Sequence, residues 1–388
     1  MSVSIDVVVL GSSPTGLYAV REASRAGLRV GVLDTAPGCA FSSRFVSIRH
    51  VLGTDGLVDW LRANARDGRR PLLIPTSDQW IERVMLAAPH IAEHAQFFSA
   101  YTGLAESLLD KQRFNALCHQ HGVDTPGVWQ ADGRESLRAL GDAIPFPCIL
   151  KPALIHRARH YLQGKKVLLA RTRGEFFSHV DAMPEELGGW LVQEIIPGAE
   201  SEITLFGGYI ARDGEPRQVF TGRKLRQYPS GFGSASLVTS QPCRETLDLT
   251  LRFLDRIGFH GICGAEYKRD PRDGRLKMIE INPRPTLWFQ ITHDAGCRII
   301  EAALRDMTDQ PVLNESEPSQ DVLWRYLFKD VASSGFYRRT RNFIFPSPDI
   351  SSAGAAGKRS WPVFQARDPV PALVEPFGFV RKALERWA

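Results

Sequence analysis

Cysteine is scarce and unpatterned: Cys39, Cys118, Cys148, Cys243, Cys263 and Cys297 are the 6 in 388 residues. They form no Cys-x-x-Cys pair and have no histidine at zinc-ligand spacing, which excludes a disulfide framework and a structural zinc module. Buried free thiols in a reducing compartment are the expectation. Long apolar runs are missing as well. No stretch approaches the ~18 residues of a membrane span, and Met1–Asp6 carry no basic segment ahead of the first apolar run. A cytoplasmic protein without membrane contact is therefore expected. Charge of one sign is nowhere concentrated: 48 Lys and Arg against 43 Asp and Glu leave +5. Pairs such as Arg69-Arg70 and Arg338-Arg339 stand alone, so the basic stripe of a nucleic-acid binder is absent. There is no internal repeat.

Apolar material is ample, 43% of residues with 10% aromatic. At ~150 residues per domain the length implies two or three domains. Val7-Val8-Val9-Leu10 ends at Gly11, and Gly11-Ser12-Ser13-Pro14-Thr15-Gly16 opens a helical pattern that Gly27 closes. A second run from Arg29 to Leu33 ends in Asp34, which makes a β-turn-α-β unit with a parallel crossover, the start of a doubly wound sheet. A helix from Leu57 to Ala65 and the strand Pro71-Leu72-Leu73-Ile74 continue it. Asp110 is a candidate cap for a helix through Leu117 and His119, stopped by Gly122. Ile149-Leu150-Lys151, Lys166-Val167-Leu168-Leu169, Trp190–Glu194 and Glu202–Ile210 read as strands. Arg244–Ile257 is an amphipathic helix, with Leu247, Leu251, Leu254 and Ile257 on one face. Strands over Gly261–Lys268 and Arg275–Ile281 are joined by the turn Asp270-Pro271-Arg272-Asp273-Gly274. Ser351–Gly357 reads as a flexible loop.

The strongest constellation lies on that hairpin. Side chains alternate along a strand, so Glu280, Asn282 and Arg284 share a face, and Pro283 and Pro285 keep their predecessors extended. One register places Glu266 opposite Glu280; a one-residue bulge would shift it. Two opposed carboxylates repel unless a cation intervenes. With the Asn282 amide oxygen they offer three hard oxygen donors, a set suited to magnesium, which keeps waters and shares substrate phosphates. Ile279 and Ile281 make the opposite face apolar. The plain alternative is a solvated face whose acids pair with Lys268 and Arg284.

Gly264-Ala265-Glu266-Tyr267, the turn, and Ile279-Glu280-Ile281-Asn282-Pro283-Arg284 resemble the metal-binding hairpin of the ATP-grasp superfamily. Other segments agree in order. Asp110-Lys111, with Gly122-Val123-Asp124-Thr125-Pro126, is similar to the opening of that family's ATP-binding domain. Phe146–Pro152 resembles its first nucleotide-lysine strand, and Gln193-Glu194-Ile195-Ile196-Pro197-Gly198 its adenine hinge. The resemblance covers residues 5–310 and implies an α/β, ATP-grasp architecture. It comprises an N-terminal Rossmann-like domain at 1–108, a small α+β lobe at 109–195 and a large α+β lobe with the metal hairpin at 196–310. The two lobes would clamp ATP, and 311–388 is a C-terminal extension of unassigned role. By position, Glu266, Glu280 and Asn282 would hold magnesium, with two ions expected and manganese a substitute. Lys111, Lys151 and Lys166 would contact phosphate oxygens or the base. Gln193, Glu194, Ile195 and Ile196 would read the adenine, and Glu202 would accept from the ribose hydroxyls. Arg284 would stabilise the transferring phosphoryl group or a tetrahedral intermediate. One departure stands out: the family's glycine-rich phosphate loop is replaced by residues 153–164, whose only glycine is Gly164. His156, Arg157 and Arg159 are candidate substitutes for its backbone donors.

Thr221–Pro229, followed by Gly231-Phe232-Gly233, resembles a segment of the amino-acid and D-aspartate ligase-like branch. There, Lys224 and Arg226 would bind an acyl-phosphate or a substrate carboxylate under a mobile cover. The implied activity is ATP-dependent ligation of a small-molecule carboxylate to an amine through an acyl-phosphate. Carboxylation, thiol or hydroxyl ligation, and a non-catalytic ATP-binding protein are alternatives on the same fold. Asp34 leaves an NAD(P)- or FAD-dependent oxidoreductase as a distant one, although Gly11–Gly16 lacks the third-position glycine of G-x-G-x-x-G. Trp288 is a candidate wall of the acceptor pocket or a packing residue. Residues 311–388, including Trp324, have no assigned chemistry; packing on the ATP-binding domain, capping the acceptor site and a homodimer interface are all open.

Overall fold

The computed structural model describes residues 5–53, 56–64, 70–152, 167–183, 189–311, 313, 317–340, 343–354 and 357–387, without the side chains of 152 and 379–387. Its strands fall into three sheets. The first holds β1 (Val7–Leu10), β2 (Val30–Asp34), β3 (Val46–Val51) and β4 (Leu72–Pro75), all parallel, in the order β3-β2-β1-β4. β1 is buried along its whole length, as the unbroken apolar run requires. Helix Pro14–Arg25 makes the crossover; its proline sits in the first turn, where the missing N–H costs nothing. Strand order reverses between β1 and β4, so their carboxyl ends, at Gly11–Ser13 and Thr76–Asp78, flank the crevice where open α/β sheets take ligands.

The second sheet is antiparallel and contains β5 (Val128–Ala131), β6 (Cys148–Pro152), β7 (Leu168–Ala170) and β8 (Trp190–Glu194), in the order β5-β8-β6-β7. Helices Arg134–Leu140 and Arg173–Asp181 close its core on Leu150, Trp190 and Val192.

The third sheet has seven strands: β9 (Ile203–Ile210), β10 (Pro216–Tyr228), β11 (Ser234–Ser240), β12 (Gly261–Arg269), β13 (Leu276–Asn282), β14 (Val322–Arg325) and β15 (Lys358–Ser360). Their order is β13-β12-β9-β10-β11-β14-β15. Helix Arg244–Arg256 packs Phe253 and Leu254 on one face, against Phe206, Cys263, Ala265 and Tyr267. The opposite face, with Leu205, Val238, Trp288 and Trp324, shares a core with the N-terminal sheet. The stretch after residue 311 extends this large sheet: β14 runs antiparallel to β11, and β15 parallel to β14. Beyond it, helix Val370–Trp387 lies against Cys39–Ser42 of the N-terminal unit.

Local signals locate most of these elements. Asp110 caps helix Lys111–Gln120, its Oδ1 accepting from the amides of Gln112 (3.0 Å) and Arg113 (2.8 Å). Ser351–Gly354 differs from expectation: it forms a 3-10 turn, because the Asp349 carboxylate takes the Ser351 amide at 2.9 Å and fixes the turn's start. All six cysteines are free, and five are buried.

Candidate active site

Three cross-strand pairs set the hairpin register: Gly264–Asn282, Ala265–Ile281 and Glu266–Glu280. A bulge follows at once, shifting the next pair to Tyr267–Met278. It lies beyond the carboxylates and leaves them opposed. Burial raises the Glu266 carboxyl above its ordinary value, with Glu280 adding to the shift and Lys224 opposing it. Burial would also raise Glu280, but Lys111, Lys224 and the Asn282 hydrogen bond outweigh it and hold that group low.

The balancing cations come from distant elements. Lys224, on β10, is 2% exposed and forms an ion pair with Glu266 across the intervening strand β9. Lys111 stands at the start of its helix, 3.8 Å from Glu280 Oε2, and donates to Ile279 O at 3.2 Å. Asn282 Nδ2 donates to Glu280 Oε1 (3.0 Å), while Asn282 Oδ1 accepts from Arg284 Nη2 (2.9 Å). Two opposed carboxylates and an adjacent amide oxygen form a donor set that fits a hard divalent cation.

Two glycines let the chain after β13 lie flat on the sheet. A Cβ at Gly264 would stand 3.0 Å from Phe289 and 3.1 Å from Thr286; at Gly207 it would stand 3.0 Å from Trp288. This close approach brings Arg284 to the N-terminal unit, where Nε donates to Asp78 Oδ1 at 2.7 Å. Asp78 begins the helix after β4, so the sheet crevice and the carboxylate hairpin share one edge.

At the other end, β8 leads into the segment Ile195–Gly198. Gln193 is paired between Val128 and Ile149, Ile195 N donates to Pro147 O at 3.0 Å, and Ile195 and Ile196 are buried. Lys151 stands half-buried on neighbouring β6. Glu202 is exposed beside Gly198, whose Cβ position would lie 3.8 Å from Glu202 Cγ.

No family model matches the chain. A D-aspartate ligase of Enterococcus faecium is 28% identical over 229 residues, 56% of this chain and 53% of that protein. The large chain of carbamoyl phosphate synthase from Vibrio cholerae is 24% identical over 187 residues, 45% of this chain and 16% of that one. The chain thus spans about half the length of the first of these curated relatives and less of the second. Among solved structures, N5-carboxyaminoimidazole ribonucleotide synthetase from Thermus thermophilus superposes with a TM-score of 0.61 at 19% identity, covering 80% of each chain. The biotin carboxylase domain of Hydrogenobacter thermophilus 2-oxoglutarate carboxylase, solved with MgADP and bicarbonate, gives 0.60 at 15% identity over 83% of this chain and 74% of that one. The chain has the ATP-grasp fold.

Several of the expected site residues meet partners within the chain. Both oxygens of the Glu194 carboxylate have partners: Oε2 accepts from Gly127 N at 2.9 Å, and Oε1 pairs with Arg272. Arg272 also grips Asp270, which Lys277 meets at 2.7 Å, and these hydrogen bonds hold Asp270 well below the usual carboxylate range. Glu194 therefore ties the end of β8 to Gly127 and to the turn after β12. Arg226 is likewise committed. Its Nε and Nη2 donate to Asp330 at 2.7 and 2.9 Å, and Arg325 holds the same carboxylate at 2.6 Å. Through Asp330, Arg226 anchors helix Leu327–Arg339. Asp34 Oδ2 accepts from Ser12 N and Oγ, both at 2.6 Å, and Oδ1 accepts from Thr35 N at 2.8 Å. The ribose acceptor that an oxidoreductase reading needs is spent on the chain's own loop. Trp288 is 2% exposed and packs on Gly207 and Phe220, a core position. Lys166 and the loop 153–164, with His156, Arg157 and Arg159, lie outside the described residues.

Sequence reasoning missed Asp78, Asp330 and Glu200. Glu200 is buried, takes the Gln227 amide at 3.1 Å and the Gly231 amide, and so pins the Tyr228–Gly233 loop. Its spacing from Gly198 was a visible signal. Asp78 pairs with an arginine 206 residues away and left no local pattern, whereas Asp330 has a local partner in Arg325 besides the distant Arg226.

Proposed function

We propose that the chain is an ATP-dependent carboxylate–amine ligase working on amino-acid-like small molecules. The observation that carries this reading is the opposed Glu266–Glu280 pair with Asn282, flanked by Lys224, Lys111 and Arg284 at the edge of the N-terminal crevice. The similarity to D-aspartate ligase supports an amino-acid class of substrate.

Glu266, Glu280 and Asn282 would hold magnesium, which when bound neutralises phosphate charge. The hinge Ile195–Gly198 binds the base end of ATP, and Lys151 and Lys111 orient phosphate oxygens. A substrate carboxylate lies at the crevice between Gly11–Ser13 and Thr76–Asp78, oriented by Arg284. Its oxygen attacks the γ-phosphorus in line, the bond to the bridging oxygen breaks, and ADP leaves. Arg284 and Lys224 meet the charge that develops on the transferred group. The amine then attacks the acyl carbon, loses a proton and expels phosphate, giving an amide. Water must stay out, because it would hydrolyse the acyl-phosphate.

The test is ADP release from MgATP with pooled amino acids and small carboxylates, every active pool being followed by mass spectrometry for a dehydrated conjugate. Glu280→Gln is expected to lower substrate-dependent turnover by roughly 100-fold or more while leaving the melting temperature near wild type. Full turnover in that variant would sink the assignment of the hairpin. ATP binding without ADP formation from any pool would favour a binding protein on the same fold.

A further inference from the structure

The C-terminal extension reaches the base end of this site. Lys268 follows Glu266 by two residues on β12 and therefore leaves the strand on the same face. It is 4% exposed, and its Nζ donates to two hinge carbonyls, Ile196 O at 2.9 Å and Gly198 O at 2.8 Å. The same ammonium lies 4.3 Å from the centroid of Phe345, which comes from the extension. Phe345 is itself buried among aromatic rings, 5.6 Å from Phe232 and 5.7 Å from Phe343. The fit beneath this strap is tight: a Cβ at Gly231 would come 2.7 Å from Phe343 and 3.0 Å from Phe345. Farther on, Asp349 N donates to Ser201 Oγ at 3.0 Å, which fastens the strap beside the hinge.

One strand thus carries the carboxylate Glu266 and, two residues on, a cation that grips the hinge. The spacing between them is fixed by strand geometry at roughly 6.7 Å along the chain. An ammonium that donates to two carbonyls and is covered by an aromatic face, out of water, holds its partners more firmly than a solvated lysine.

We propose that Lys268, covered by Phe345, is a positioning residue that sets the distance between the base-binding hinge and the phosphate-binding carboxylates. The inference rests on the ATP-site reading above. It assigns the extension a part in nucleotide affinity that neither its sequence nor its place at the sheet edge suggests.

Calorimetric titration with MgATP and, separately, with magnesium tripolyphosphate tests this, because the second ligand has phosphates and no base. In Lys268→Met the dissociation constant for MgATP is expected to rise about tenfold, with tripolyphosphate unchanged within twofold. Phe345→Leu, which removes only the ring, is expected to weaken MgATP in the same selective way by a smaller factor, and stands in if Lys268→Met does not fold. Equal losses for both ligands mean general damage to the site and overturn the proposal, as does unchanged MgATP binding in both variants. A wild-type protein that binds neither ligand would overturn the ATP reading and this inference with it.

Discussion

Charged groups buried away from water must find partners, and Glu22 is a carboxylate whose partners are too weak to hold its charge. It is 1% exposed on helix Pro14–Arg25, and its Oε1 accepts from the amides of Ile300 (2.7 Å) and Glu301 (3.3 Å), at the start of helix Ile299–Met307. His293 lies 3.9 Å away but cannot neutralise it, since burial lowers that imidazole to about 4. Burial pushes the Glu22 carboxyl up from 4.5 to about 7. The folded protein therefore holds a proton that the unfolded chain has released between those values, and stability falls as pH rises through that window. Glutamine keeps the acceptor and removes the charge. Glu22→Gln is expected to stabilise the protein by up to about 3 kcal/mol above pH ~8, with no gain below pH ~4. Urea unfolding at both pH values checks this; an equal gain at each would refute the charge argument.

At the scale of elements, caps and turns decide where the side chains of the candidate site stand. Lys111 is the first residue of helix Lys111–Gln120, and its distance from Glu280 depends on that first turn holding its shape. Asp110 satisfies two of the turn's free amides. Asp110→Ala is expected to cost about 1 kcal/mol in thermal unfolding and to raise the KM for MgATP with little change in kcat. A rise in KM with no loss of stability would place Asp110 in ligand contact instead. The hairpin works on the same principle. Its register was legible because Pro283 and Pro285 keep the strand's end extended and Asp270–Gly274 makes the turn, yet the bulge at Ile279 was not visible. A bulge depends on how β13 meets its partner strand, which alternation within β13 does not encode.

For the whole molecule, the extension closes the chain on itself. Arg21 is fully buried in the N-terminal unit and donates to Asp368 Oδ2 (3.0 Å), Asp368 O (3.0 Å) and Val363 O (2.8 Å). Asp368 also accepts from Ser43 Oγ at 2.8 Å and Arg44 N at 3.0 Å. Removing the acid leaves a buried guanidinium without its counter-ion. Asp368→Ala is expected to destabilise by roughly 3–5 kcal/mol, while Arg21→Met combined with Asp368→Leu recovers most of that loss. Chemical denaturation of the three proteins measures it. A loss under about 1 kcal/mol in the single variant would mean that water reaches Arg21.

Local spacing by itself determined the β-turn-α-β opening, the capped helix before the small lobe, the amphipathic helix Arg244–Arg256, and a strand face carrying Glu280 and Asn282. Each follows from period, turn chemistry and alternation over a dozen residues or fewer. Only tertiary structure decided which cations meet which acids: Lys224 with Glu266 at 42 residues' separation, Arg226 with Asp330 at 104, Arg284 with Asp78 at 206 and Arg21 with Asp368 at 347. Glu194, Arg226 and Asp34 have the residue types expected of ligand contacts, and in the folded chain each meets a partner on another element. A side chain's type states what it can bind. Whether it is free to bind depends on what the folded chain places beside it, because a buried charge takes the nearest partner available.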